Sequence, residues 1–327
     1  MDVIDRTPLL AALNYAKGQM LYRFGLARHR SGSTGYSISA EQMVRYVVLV
    51  AQDYLRYGAD DDGYLTGKRI LEVGPGDNLG VALMLLAMGA ESVTCLDGFA
   101  PRSNEYKNRQ VYAALYQAMT EEQRIRVKDI VREDSAGGMA VFGKRLVAYY
   151  EAPVERRHPA LAPDSYDVII SRAVLEHLAD VRRGWANMVR SLKANGEMWH
   201  KVDFRSHKMF DRIHPLYFLT IDERLWRLIS RPDPTLNRER LPLYRELSTR
   251  DFKSSKIYLT RVLDHDEIQP HTDHLITGTH YTEEHLAVVR AIRPRLMEPF
   301  RAYTDTDLLT TGAFVISRGK RADVRLS

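Results

Sequence analysis

Apolar positions recur at mostly helical spacing through Ala40–Tyr57, where Met43, Val47, Val48, Leu49, Val50 and Leu55 predict an amphipathic helix. The polar, glycine-bounded run Gly58–Gly63 breaks that pattern and marks a boundary. From Lys68 onward, short apolar runs alternate with longer helical stretches. Arg69–Val73, Glu91–Asp97, Arg145–Tyr150, Tyr166–Ser171 and Glu197–Asp203 read as strands. Leu79–Met88 reads as a buried helix. Thr120 with Gln123 is a capping-box pattern that opens another, and Asp180 caps one running to about Ala194, stopped by Gly196. Strands alternating with helices predict an α/β fold, a doubly wound Rossmann-like parallel sheet with helices on both faces. Such sheets bind ligands beyond the carboxyl ends of their strands, so chemistry is sought there.

After Asp203 the pattern changes. Arg205–Leu263 is rich in Arg, Asp, Pro and aromatics and reads as a helical and loop insertion. A helix over Thr282–Phe300 follows, then an alternating last strand over Leu309–Ser317. The expected organisation is a helical N-terminal extension over 1–65 and a cofactor-binding core over 66–204. An insertion serving as substrate lid follows over 205–263, and 264–327 completes the core.

Composition narrows the class. The chain has 327 residues, 45% of them hydrophobic, enough for one large domain with additions. The single cysteine, Cys95, excludes an internal disulfide and a cysteine-based zinc site. The first residues lack a basic leader, and no apolar run is long enough to span a membrane, so the expected compartment is the cytoplasm. The net charge is +5 without a dense Lys/Arg tract or nucleic-acid motif, which makes nucleic acid an unexpected partner.

The strongest local signal is Glu72-Val73-Gly74-Pro75-Gly76-Asp77-Asn78-Leu79-Gly80, set between a predicted strand and a predicted helix. Gly74 and Gly76 allow a sharp turn and close backbone approach to a ligand. Dinucleotide binders use G-x-G-x-x-G. The longer spacing here, and an acid two residues before the first glycine, fit a cationic sulfonium cofactor better than a pyrophosphate. This run resembles motif I of class I S-adenosylmethionine-dependent methyltransferases. Asp97, ending the second strand, is similar to the family's ribose-binding acid. Tyr166–Ser171, continuing into Arg172-Ala173-Val174-Leu175-Glu176-His177-Leu178, resembles the family's strand-four motif. Leu192–Gly196 resembles its L-K-P-G-G turn, with Ala194 and Asn195 in place of Pro and Gly. The resemblance spans roughly Lys68–Asp203. It implies S-adenosyl-L-methionine as cofactor, held by Glu72, Gly74, Pro75, Gly76, Asp77, Asp97, Gly98, Glu155, Ser171 and Arg172.

Methyl transfer to oxygen or nitrogen needs alignment and a proton acceptor. His207, oriented by Asp203 at the end of the fifth strand, is the first candidate base, and the histidine of the L-E-H motif, His177, is the second. Glu176 reads as structural. Strand alternation sends His200 to the face opposite Asp203, so a metal triad is not expected, although sugar-methylating relatives use magnesium. His214, Tyr217, Arg224, Trp226, Arg238, Arg240 and Arg245 of the insertion are candidates for contacting an acidic or sugar-like acceptor. The segments H-P-L-x-F-L and R-L-W-R-L resemble bacterial glycan-cluster methyltransferases. The expected activity is methylation of a small-molecule or glycan acceptor on oxygen. An RNA or protein acceptor is the alternative; the [D/N]-P-P-[Y/F] signature of planar-nitrogen methylation is replaced by Ser171-Arg172-Ala173-Val174. A non-catalytic cofactor-binding protein and a dinucleotide oxidoreductase are minor alternatives. The sequence leaves the oligomeric state open.

Overall fold

The computed structural model describes residues 38–61, 63–101, 104–135, 137–206, 214–230, 236–263 and 281–322. The first described helix, α1 (Ala40–Gly58), is fixed at its start by a capping box. Ser39 Oγ accepts the Gln42 N–H at 3.1 Å, and Gln42 Oε1 accepts the Ser39 N–H at 2.9 Å. Its buried stripe is Met43, Val47, Val50, Ala51, Tyr54 and Tyr57, with Asp53 among them. Leu49, expected in that stripe, is instead 44% exposed.

The central sheet is built from β1 (Arg69–Val73), β2 (Ser92–Leu96), β5 (Leu146–Tyr149), β6 (Tyr166–Arg172), β7 (Leu192–Asp203), β8 (Phe252–Val262) and β9 (Thr310–Lys320). Its order is β5-β2-β1-β6-β7-β9-β8. The first five strands run parallel, and β9 is antiparallel to both β7 and β8. This is the doubly wound α/β class that the alternation predicted. Side-chain alternation separates the two faces. Ile70, Val168, Ile170, Trp199 and Phe314 join one core with α1, α2 (Gly80–Ala87), α3 (Glu105–Ala118) and α4 (Glu121–Val127). Their neighbours Leu71, Ile169, Met198 and Val315 join the other core with α5 (Val181–Ser191) and α7 (Leu241–Asp251). Each fully buried Leu or Ile contributes about 1.5–3 kcal/mol, so the period-two pattern alone commits the sheet to two covered faces.

Several elements differ from expectation. A short hairpin, β3 (Val131–Glu133) with β4 (Met139–Val141), was not predicted. α5 ends at Ser191, before the expected Ala194, because β7 begins at Leu192 and pairs there with Tyr166. The predicted Thr282–Phe300 helix is shorter: α8 (Glu283–Ile292) gives way to tight turns at Arg293–Arg295 and Phe300–Ala302. Pro294 and Pro299 cannot continue an α-helix, which accounts for the break.

The largest difference is β8, which lies inside the stretch read as a helical and loop insertion. Its first half, Lys253-Ser254-Ser255-Lys256, is exposed and hides the strand pattern. Charged residues on a sheet edge discourage pairing with other chains. Around this edge a third core gathers Phe218, Trp226, Leu259, Val289, Phe300 and Leu308 from α6 (Glu223–Ser230), α8, α9 (Asp305–Leu309) and neighbouring turns. Arg240 ties this region to the sheet. It is fully buried, and its guanidinium donates to the carbonyls of Phe204 at 2.7 Å, Leu308 at 2.8 Å and Thr310 at 2.9 Å. Burial lowers its pKa to about 10, so it stays charged at neutral pH. Among the described residues, no helix is long and apolar enough to cross a membrane.

Candidate active site

A cleft of about 590 Å³ opens at the carboxyl ends of β1, β2 and β6. That is where an open α/β sheet binds its ligand, and the volume falls in the usual range of roughly 300–1,000 Å³. The floor is the turn after β1. Gly74 and Gly76 have φ of +74° and +72°, the left-handed region that glycine enters without strain. The two serve different ends. A Cβ on Gly74 would stand 2.3 Å from Val174 Cγ2, so this glycine lets the turn pack against the loop after β6. Nothing lies within 4 Å of a Cβ built on Gly76, so that position faces open cleft and keeps room for a ligand.

Asp97 stands on the β2 side of that turn. Its carboxylate accepts the Gly76 N–H at 3.1 Å and the Phe99 N–H at 2.9 Å. These bonds fix both oxygens at the cleft wall while each keeps capacity to accept a hydroxyl proton. Burial raises its pKa, and the two backbone donors pull the other way. Gly74, Pro75, Gly76, Asp77, Asp97, Gly98, Glu155 and Arg172, eight of the ten residues expected at the cofactor, line the cleft. Glu155 accepts the Ala179 N–H at 3.0 Å, which joins the loops on the far side.

Glu72 and Ser171 do not line it. Glu72 is buried behind the turn, where Cys95 Sγ donates to its Oε2 at 3.5 Å. Burial raises its pKa to about 7 against the opposing pull of that thiol. Any influence of Glu72 on a ligand is therefore through the turn. Ser171 is fully buried, its Oγ 2.7 Å from His200 Nδ1. Burial lowers the His200 pKa to about 3, so that imidazole is neutral and packs beside Trp185.

The residues expected to catalyse divide similarly. His207 lies outside the described residues. Asp203 ends β7 but is bound to Arg205, which donates from its backbone N–H at 3.0 Å and from Nη2 at 2.5 Å, and it does not line the cleft. His177 does line the cleft, at the end of a short turn after β6. Its neighbour Glu176 is buried, and burial together with Asp203 pushes its carboxyl well above the usual range. Among the described residues, no group of three His, Cys, Asp or Glu side chains could hold a metal ion.

The insertion's candidate acceptor contacts are mostly committed elsewhere. Arg238 donates to the carbonyls of Ile221 and Phe218 and pairs with Glu223; Arg245 pairs with Asp307; Arg240 is spent on carbonyls. Tyr217 and Trp226 are buried in the third core, and His214 accepts the Leu216 N–H. Arg224 is exposed. Of the described residues in 205–263, none lines the cleft. Its second wall is α1, through Met43, Tyr46 and Val47.

Sequence reading missed Tyr46 and Asp53. Asp53 Oδ2 lies 2.5 Å from Arg172 Nη1 and 3.5 Å from Lys201 Nζ, so α1 is clasped to the ends of β6 and β7 by charge. The available signal was a carboxylate placed within an apolar helical stripe, which must find a partner when buried.

The cradle in front of Gly76 and the fixed carboxylate of Asp97 suit a ligand with a ribose diol. Residues 71–199 match the family described as "Methyltransferase domain". No curated protein matches the chain. Among solved structures, it is similar to the complex between the Haloferax volcanii Trm112 methyltransferase activator and its partner, with 14% identity, coverage of 86% of this chain and 96% of that one, and a TM-score of 0.40. It is also similar to a Haemonchus contortus phosphoethanolamine N-methyltransferase 2 holding S-adenosyl-L-methionine, with 16% identity, coverage of 86% and 53%, and a TM-score of 0.40. An S-adenosylmethionine-dependent methyltransferase from Mesorhizobium loti gives 16% identity, coverage of 86% and 98%, and a TM-score of 0.38. Similarity at this level says nothing about the acceptor. The segment that builds most of this cleft, residues 71–199, matches a methyltransferase domain, and that match supports an S-adenosylmethionine-dependent methyltransferase with S-adenosylmethionine as its cofactor.

Proposed function

We propose that the enzyme methylates a hydroxyl oxygen of a small-molecule or glycan acceptor. The observation that carries this reading is the second wall of the cleft. Met43, Tyr46 and Val47 of α1 turn a cofactor groove into a bounded pocket, which suits a small acceptor or the end of a glycan. The segment at the end of β6, Ser171-Arg172-Ala173-Val174, lacks the paired prolines used on planar nitrogen.

The cofactor brings a methyl group already activated on its sulfonium. The protein's part is to orient and to exclude water. Asp97 holds the ribose hydroxyls, and the Gly74–Gly76 backbone bounds the space beside them. His177 takes the acceptor's proton, because it lines the cleft, whereas the Asp203 carboxylate is occupied by Arg205. Apolar side chains from α1 dry the pocket, which strengthens electrostatic contacts within it.

The test is transfer of labelled methyl from S-adenosylmethionine to a panel of hydroxylated small molecules and oligosaccharides, with the new bond located by mass spectrometry. A methyl ether on such an acceptor is expected. Label found only on nitrogen, RNA or protein contradicts the reading. His177→Ala is expected to slow transfer by roughly 10²–10⁴-fold, the usual range for general-base catalysis, without weakening cofactor binding.

A further inference from the structure

Building on that functional reading, we propose that Arg172 and Tyr46 form a subsite for an anionic group of the acceptor, a carboxylate or a phosphate. Both residues line the cleft. Arg172 ends β6, while Asp97 follows β2; β1 and its glycine turn lie between them in the sheet. The guanidinium thus sits across the turn from the ribose-binding carboxylate. His177, the proposed base, lines the cleft from the same loop.

The arginine is held in place. Its side chain is only 11% exposed, and Asp53, at 4%, meets Nη1 at 2.5 Å from behind the wall. The Tyr46 ring lies 5.9 Å from the guanidinium carbon. Ala173, the next residue, has φ of +53° and donates its N–H to the Lys201 carbonyl at 2.9 Å. A non-glycine residue in that region is strained, and such strain gathers where a site must be shaped.

Two cations, Arg172 and Lys201, share the Asp53 carboxylate behind the wall. Burial, followed by the charge of Arg172, lowers the Lys201 pKa to about 7. Among the described acids, Glu72 and Glu176 act on Tyr46 from behind the wall, and burial holds both toward their neutral forms. The cleft's other acids, Asp77, Asp97, Glu155 and Asp180, belong to the turn after β1, the end of β2, the connection between β5 and β6, and the start of α5. An acceptor anion beside Arg172 would also offset the repulsion between that guanidinium and a cationic sulfonium. Guanidinium forks match carboxylates and phosphates through two parallel hydrogen bonds.

The experiment titrates sodium acetate and inorganic phosphate, in separate arms at constant ionic strength, into the full chain saturated with S-adenosylhomocysteine. Saturable binding of at least one anion is expected, and the tighter arm names the anion class. Binding should weaken at least about tenfold in Arg172→Gln, the size of one charge-assisted hydrogen bond, and less in Arg172→Lys. S-Adenosylhomocysteine affinity should change less than about threefold, under 1 kcal/mol. Asp53→Asn/Arg172→Gln, which leaves no unpaired buried carboxylate, replaces the single variant if that does not fold. The proposal is overturned by absence of saturable anion binding, by unchanged binding in the variant, or by loss of S-adenosylhomocysteine affinity in Arg172→Gln, which would assign the arginine to the cofactor. Failure of the wild-type protein to bind S-adenosylhomocysteine would instead strike the functional reading itself.

Discussion

Two regions of the sheet use arginine in opposite ways. At the β9–β8 end, Arg240 is wholly buried and both its Nη atoms donate to carbonyls, from the chain after β7, from α9 and from the start of β9. At the centre of the sheet, where β6 ends, Arg172 pairs with the Asp53 carboxylate, lies beside Tyr46 and lines a cleft. One residue type is a structural clamp in the first setting and a candidate binding group in the second. What separates them is where their hydrogen-bond partners lie: around Arg240 they surround the side chain, and behind Arg172 they leave it bordering an open space.

Replacing the clamp should have the largest effect. Arg240→Met should cost about 3–5 kcal/mol of stability in urea unfolding, since several buried carbonyls lose their donor. A loss below about 1 kcal/mol would mean those carbonyls find other partners and the clamp is dispensable.

Glu72 sharpens the contrast on the cleft side, where a buried carboxyl sits behind the turn without a cation. Its folded pKa, about 7, exceeds the ordinary 4.5, so the folded protein holds this proton more tightly than the unfolded chain does. The stability from that proton is full below about pH 4.5 and is lost as pH rises through about 7. Glu72→Gln removes the dependence. Relative to wild type, it should gain roughly 3 kcal/mol in unfolding free energy between pH 4.5 and pH 8. Parallel denaturation curves for the two proteins across that range would contradict the raised pKa.

The smallest effect belongs to a third arginine setting. Arg182 forms a two-pronged pair with Glu246, at 2.6 and 2.7 Å, but the side chains are 53% and 51% exposed. Arg182→Ala should cost under about 1 kcal/mol in the same unfolding assay, because water screens exposed pairs. A cost near that of Arg240→Met would show that distance rather than burial governs these contacts.

Legibility in the sequence followed the same divide. The glycine turn, Asp97 and the strands that present them were readable because each is local: a strand run, a positive-φ turn and a strand-end acid all lie within short windows. α1 was readable as a helix, but its part in the cleft was not. Tyr46 and Asp53 reach the site only when α1 packs beside β6 and β7, a contact between distant parts of the chain. β8 was hidden because an edge strand with an exposed, lysine-bearing half does not alternate cleanly. The insertion's arginines misled for a related reason, since no sequence window shows whether a guanidinium will meet solvent, a ligand or backbone carbonyls. The motif around Ser171 implies a ligand contact, yet the hydroxyl meets His200 on the neighbouring strand.

The cleft beside Gly76 is expected to hold S-adenosylmethionine through Asp97. Calorimetric titration of S-adenosylhomocysteine into wild type and Asp97→Asn tests this. Saturable one-to-one binding is expected in the wild type. The variant should bind at least about tenfold more weakly with its unfolding temperature retained, the loss expected when hydroxyl groups no longer meet a charged acceptor. Equal affinity in the two proteins, or no binding by folded wild type, would contradict it.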